Sequence, residues 1–227
     1  MRLVLASASP RRADLLRAAG FVFDTLAVDL DERVQPGEAP AAYVRRLSME
    51  KSAQAWEVLA GTNPAEAGSH VRRGPMASTG RRGDSASAVV GSGFSRTVVL
   101  AADTAVVIEG QILGKPHDDV EAASMLRRLS GRPHEVLTGI SLRAGHGERG
   151  RVETTVVEFS PLTGADVAWY VASGEGRDKA GGYAIQGLAS RFIPRIRGSY
   201  SNVVGLPMAA VHELVAEIAS EPRSGLF

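Results

Sequence analysis

The 227-residue chain contains no cysteine, which excludes disulfides, thiolate metal sites and cysteine nucleophiles. It has no apolar run near the ~20 residues that span a bilayer. The apolar start is too short for the core of a signal peptide and runs straight into a helix turn. A cytoplasmic protein is the expectation. Charge of one sign is also missing: 26 Lys and Arg meet 25 Asp and Glu, for a net charge of +1. No general attraction to nucleic acid or membrane follows from that balance. No G-x-x-x-x-G-K-[ST] loop occurs, and the five histidines show no metal-ligand spacing, so a zinc site is not expected. There is no internal repeat.

What is present suffices for a full core, with 44% hydrophobic and 22% charged residues. Leu3-Val4-Leu5-Ala6 reads as a buried strand. Ser7-Ala8-Ser9-Pro10-Arg11-Arg12 follows, then a helix over 10–19 with Leu15, Leu16 and Ala19 on one face. Ser9 fits the N-cap and Pro10 the first helical position. Strand, tight turn and helix start aim free N–H groups and a partial positive charge at one spot. Arg11 and Arg12 oppose that dipole, which suits either a bound polyanion or a solvated surface pair. Phe21 to Val28 alternates like a strand, and Asp29, Asp31 and Glu32 lie in a loop. A helix over 40–60 carries Tyr43, Val44, Leu47 and Val58 as its apolar stripe, and Lys51 falls within that stripe. Such a lysine either snorkels outward or meets an anion, and snorkelling is the commoner case.

Residues 61–97 hold seven Gly, six Ser, two Pro and five Arg, with Phe94 as the one aromatic, and sustain no period. The composition predicts a mobile insertion that buries too little apolar surface to offset its ordering entropy. Thr97 to Ala102 reads as a central strand with Asp103 at its carboxyl end, where open α/β sheets bind ligands. A second run, Ala105 to Ile108, then Gly114-Lys115-Pro116, lead to a helix capped by Asp118, with Ala122, Met125, Leu126 and Leu129 inward and Gly131 as its stop. Segments 135–143 and 151–159 alternate as two antiparallel strands around a turn at 144–150. Thr163 caps a helix to Ala172, with Asp166 near a capping-box position. A Gly-rich loop over 178–187, a short strand at 191–196 and a last helix from Pro207 complete the chain.

Strands and helices alternate without a strict βαβ repeat, so the expected fold is α/β: one domain over 1–227, a twisted mixed sheet flanked by helices. The residues able to serve phosphate chemistry fall at element ends: Ser7, Ser9, Arg11, Arg12, Lys51, Asp103 and Lys115. Asp103 suits a general base or a Mg²⁺ ligand, and equally a plain ion pair. Glu32 is either a second acidic ligand or a solvated acid. Gln186, in its Gly-rich loop, can pair with the amide edge of a base or merely sit in a flexible connection.

Six stretches together resemble one family. They are LASASPRRADLL (5–16), ADTAVV (102–107), GKP (114–116), MLRRLSG (125–131), DKAGGYAIQG (178–187) and YSNVVGLP (200–207). In this order they resemble the Maf family of nucleoside triphosphate pyrophosphatases. The likeness covers nearly everything except 61–97 and the tail. It implies hydrolysis of a nucleoside triphosphate to monophosphate and pyrophosphate with a divalent metal, Mg²⁺ or Mn²⁺, in a house-cleaning role. The implied fold is a sheet with a nucleotide cleft like that of inosine triphosphate pyrophosphatases, often as a homodimer. Asp103 takes the position of the family's proton acceptor, and Ser7, Arg11, Arg12, Lys51 and Lys115 take those of its phosphate contacts. Arg12, Thr104 and Gln186 match the branch acting on dTTP and UTP rather than that acting on 7-methyl-GTP. A non-catalytic nucleotide-binding regulator of cell division is the other role the resemblance carries.

Overall fold

The computed structural model describes residues 1–61, the backbone of 72–73, residues 97–145 and residues 147–220. Most of the insertion expected at 61–97 therefore lies outside the described residues. The sheet begins with β1 (Arg2–Ala6), whose parallel neighbours are β2 (Phe23–Thr25) and β4 (Thr97–Ile108). A two-residue strand, β3 (Arg72–Arg73), pairs antiparallel with β2 at one edge. β5 (Gln111–Leu113) folds back on β4 after a turn in which Glu109 and Gly110 both take positive φ. β6 (Pro133–Ala144) pairs antiparallel with β4, β7 (Gly147–Glu158) with β6, and β8 (Arg195–Arg197) with β7. The order is β3-β2-β1-β4-β6-β7-β8, a mixed sheet as expected.

Helices cover both faces. α2 (Pro40–Gly61) lies alone on one face among the described elements, burying Val44 against Ala105, Val107 and Leu137, and Ala55 and Leu59 against Val4, Ala6, Val99 and Ala101. The other face carries α1 (Pro10–Ala18) and α6 (Met208–Ser220) over Leu3, Leu5, Leu100 and Ala102. Next to them, α3 (Asp119–Leu129) and α4 (Gly164–Ala172) pack over Val106 and Ile108. The one-turn helix α5 (Tyr200–Val204) joins that second cluster through Val204. Two of the three predicted caps form, Asp118 accepting from the Glu121 N–H and Thr163 and Asp166 closing a capping box, while Ser9 holds the N-cap position of α1 without a side-chain bond.

Several expectations change. The two runs around Asp103 are one continuous strand, because β6 pairs with β4 from Val99 to Val107 without a break. Val58 is 41% exposed, and Leu59 takes its place on the buried stripe. The strand read over 21–28 is only Phe23–Thr25, since only Leu3, Val4 and Leu5 of β1 lie opposite it. β6 and β7 extend well into the turn expected at 144–150. Residues 188–192 form a 3-10 turn ahead of β8, where a strand was expected from 191. α5 carries no periodic apolar signal and is not visible in the sequence pattern.

Candidate active site

Both faces of the core are interrupted at one level of β4. On the α2 face the apolar series Val99, Ala101 is broken by Asp103 and resumes at Ala105. On the other face Leu100, Ala102 gives way to Thr104 before Val106. At this level β4 also has no neighbour on its β1 side among the described residues. β1 stops at Ala6, opposite Ala101, and β5 joins only at Val106. The opening thus arises because the parallel neighbour stops, not because β4 itself ends. A cleft of about 660 Å³ enters there, lined among others by Ser7, Arg11, Arg12, Glu32, Lys51, Asp103, Thr104, Lys115 and Gln186. All the residues singled out in the sequence for this chemistry share that one cavity.

Asp103 is 6% exposed and Lys51 8%. Lys51 does not snorkel: its Nζ donates to Asp103 Oδ1 and to Glu32 Oε1, each at 2.6 Å. Glu32 is correspondingly not a free solvated acid, and its Oε2 lies 3.5 Å from Lys115 Nζ. Burial raises the Asp103 carboxyl above its ordinary value, outweighing the opposing pull of Lys51 and Arg12. Glu32 goes the other way: burial works to raise it, but Lys51 and Lys115 prevail and hold it below the usual range. One carboxylate with enhanced proton affinity stands beside one that stays ionised.

The opening helix turn supplies the facing wall. Ser9 occupies the N-cap position, yet its side chain makes no capping bond, so its hydroxyl is not spent there. Ser7 Oγ accepts instead from the Ser9 N–H at 3.1 Å and from Arg12 Nη1 at 3.3 Å. Arg12 is not a solvated surface cation. Its Nε donates to the Gly205 carbonyl at 2.8 Å and its Nη2 to Thr104 Oγ1 at 3.1 Å. Burial lowers its proton affinity, against the pull of Asp103 and Glu32. Gly205 has φ +121°, and a Cβ there would crowd both Arg12 and Thr104 at 3.4 Å.

Gln186 is exposed at the cleft rim. Its loop is held from behind by two residues that sequence reasoning missed. The Tyr170 hydroxyl accepts from the Ala184 N–H at 3.0 Å and donates to Glu175 Oε2 at 2.8 Å. Glu175 Oε1 accepts from the Leu188 N–H at 2.9 Å. Gln186 is thus bracketed two residues before and two after. Tyr170 lies inside the helix predicted from Thr163 to Ala172 with nothing to set it apart, and a lone Glu after Gly174 gives no periodic signal. His134, next to the loop, is structural: it is buried, its Nε2 is 2.7 Å from the Tyr183 hydroxyl, and burial drops it to about 4.

The donor set bears on a metal. Among the described residues no group of three or more His, Cys, Asp or Glu could form a cage. Two carboxylates, Asp103 and Glu32, share one ammonium at hydrogen-bond distance, so the point between them favours positive charge. That fits a hydrated Mg²⁺ or Mn²⁺, which takes one or two carboxylates and completes its shell with water and substrate phosphates.

An α/β sheet whose open edge holds a buried carboxylate among cations is the frame of an anion-binding protein equipped for acid–base chemistry. A family profile described as Maf-like protein matches residues 2–218, and the chain belongs to that family. A relative from Anaeromyxobacter sp. (strain Fw109-5), named dTTP/UTP pyrophosphatase, is 43% identical over 94% of this chain and 88% of its own. Proteins of the same name from Pseudoalteromonas atlantica and Syntrophus aciditrophicus are 39% and 40% identical, over 96% and 99% of this chain and 97% and 93% of theirs. Among solved structures, "The structure of the Staphylococcus aureus Ham1 protein" aligns with TM-score 0.46 at 13% identity, over 96% of this chain and 100% of that one. The fold assignment stands on the strand register itself. No described helix is long and apolar enough to cross a membrane.

Proposed function

We propose that the protein hydrolyses dTTP and UTP to the monophosphate and pyrophosphate, in the cytoplasm, with Asp103 as the general base. The observation that carries this reading is a buried carboxylate of raised proton affinity facing cations from three separate segments. Reaction at phosphorus asks for an activated water and fixed positive charge, and little else. Asp103 accepts the proton of a water directed at the α-phosphorus. Ser7, Arg11, Lys51 and Lys115 hold the β- and γ-phosphates, whose charge grows as the α–β anhydride bond breaks. Arg12, Thr104 and Gln186 face the base. Asp103 and Glu32 would hold a divalent cation, which when bound neutralises phosphate charge. With Glu32 so engaged, the Lys51 ammonium would be free to contact the phosphates. A protein that only bound nucleotide would have no use for a buried carboxylate beside a triphosphate, so the regulator reading is the weaker one.

The test is direct. Purified protein with Mg²⁺ is given dTTP, UTP and a panel of other triphosphates, and the product is scored as pyrophosphate or orthophosphate. Pyrophosphate from dTTP and UTP is expected; its absence, or orthophosphate alone, would overturn the reading. Lys115→Ala should lower kcat/KM about 10- to 100-fold, the loss of one charge-assisted contact to the departing group. The Lys115 side chain is 61% exposed and its ion pair with Glu32 is a loose 3.5 Å, so the fold should be unaffected. Unchanged kinetics would remove it from the site.

A further inference from the structure

Thr104 lies opposite Thr138 in the β4–β6 register, and Thr138 is completely buried. A hydroxyl carries one hydrogen. Thr138 spends its own on the Asn202 carbonyl oxygen, at 3.0 Å. The 3.0 Å contact between the two threonine hydroxyls then has only one sense: Thr104 donates and Thr138 accepts. Thr104 also accepts from Arg12 Nη2 at 3.1 Å. Its hydrogen is therefore turned inward, and toward the cleft it offers a lone pair alone. The end of this chain is fixed. Asn202 is fully buried, and its Nδ2 donates to the Val136 carbonyl at 2.9 Å and to Thr155 Oγ1 at 3.0 Å, pinning α5 to β6 and β7.

Beside that lone pair, Nη1 and Nη2 of Arg12 each keep a second N–H. An acceptor next to a donor complements an imide edge, where an N–H is flanked by carbonyl oxygens. Uracil and thymine carry such an edge, with a hydrogen on N3. Held in the same register by its triphosphate, cytosine presents a bare lone pair at N3 to the Thr104 lone pair, and its N4 amine could meet Thr104 only if the base slid by one edge position. Gln186 has both a donor and an acceptor and can turn to suit either base, so it cannot make this distinction alone. We propose that Thr138 is a positioning residue that holds Thr104 as an acceptor and so makes the site select pyrimidine nucleotides bearing N3–H over cytosine nucleotides. The inference rests on the nucleotide-pyrophosphatase reading above and adds the device that sets its base preference.

The experiment compares kcat/KM for UTP and CTP in the unmutated protein, Thr138→Val and Thr138→Ser. Affinities for the α,β-methylene analogues of UTP and CTP are measured in parallel. The unmutated protein should favour UTP about 10- to 100-fold, the cost of facing two acceptors without a hydrogen between them. Thr138→Val frees the Thr104 hydrogen to turn outward and donate to cytosine N3, so the ratio should fall about tenfold. Thr138→Ser keeps the hydroxyl and should restore it. A merely structural role lowers both substrates together and leaves the ratio intact; that result overturns the proposal, as does an unmutated protein with no preference for UTP. If Thr138→Val does not fold, 3-methyluridine triphosphate tests the same point on the unmutated protein. It keeps both carbonyls and lacks the N3 hydrogen, and turnover equal to that of UTP overturns the proposal. Preferential binding of the UTP analogue without turnover of any triphosphate would sink the pyrophosphatase reading while the selection device stands.

Discussion

Asp103→Asn is expected to reduce pyrophosphate release by about 10²- to 10⁴-fold, the usual scale for a positioned general base. Triphosphate binding should survive, because the cations of the cleft are untouched. The pH dependence sharpens the expectation. Only the ionised carboxylate can take a proton from water, and kcat/KM reports the enzyme before nucleotide and its metal bind, so it should climb with pH through a limb whose midpoint lies above the ordinary 3.8 of an aspartate. The stability effect has the opposite sign. The folded-state value is raised above the unfolded one, so the folded protein binds the Asp103 proton more tightly. The associated stability is fully present below the unfolded value and is lost as pH rises through the folded one. Asparagine resembles the protonated form at every pH, and Lys51 keeps Glu32 as its partner. At pH 7 the variant should therefore melt higher than the parent, and the gap should close as pH falls toward 3.8. An Asp103→Asn protein that still turns over substrate at the parental rate would remove the residue from its role. A variant that melts lower at pH 7 would show that the Lys51 pairing outweighs burial.

The chain segments that form the site were legible because phosphate chemistry leaves marks at element boundaries. The serines and arginines of the first turn interrupt helix-cap logic, since Arg11 and Arg12 stand where acids would be stabilising. Lys51 interrupts an apolar stripe, and Asp103 an apolar run. Each is a local conflict readable without coordinates. Their meaning was not readable one at a time. Lys51 alone favours snorkelling and Glu32 alone favours solvation. Only the fold, by setting α2 across β4, brings the ammonium to 2.6 Å from both carboxylates. What remained invisible was non-periodic or carried by the backbone. The Gly205 carbonyl that orients Arg12 has no side chain to announce it. Tyr170 and Glu175 act on the Gln186 loop through N–H groups that every residue possesses. Thr138 looks like any inward strand residue until Thr104 and Asn202 are found on either side of it. The strand boundaries failed for a related reason: apolar alternation cannot tell where a neighbour stops, and the site lies where β1 stops.

Gly139→Ala should damage both stability and catalysis, although the residue touches no substrate. In the β4–β6 register Gly139 stands directly opposite Asp103. A Cβ built on it would overlap the Val44 carbonyl oxygen and carbon in α2, backbone atoms that cannot swing aside as a flexible side chain would. The missing side chain is what lets α2 settle onto the sheet at this level. Two turns along the same helix is Lys51, which meets Asp103 there. A single methyl group must therefore lift α2 or bend β6. Overpacking of this kind costs about 1–3 kcal/mol, which for a chain of this size lowers the melting temperature by roughly 2–12 °C. Lifting the helix also draws the ammonium away from the carboxylate, and a shift near 1 Å at such a site can cost about 100-fold in rate. Gly164→Ala is the matched control: Gly164 opens α4, and a Cβ there meets nothing within 4 Å. It should leave melting and kcat/KM essentially as they are. If Gly139→Ala behaves like the control in both measurements, the close seating of α2 is not what brings Lys51 to Asp103. If it lowers melting without touching turnover, the seating matters to the core and not to the site.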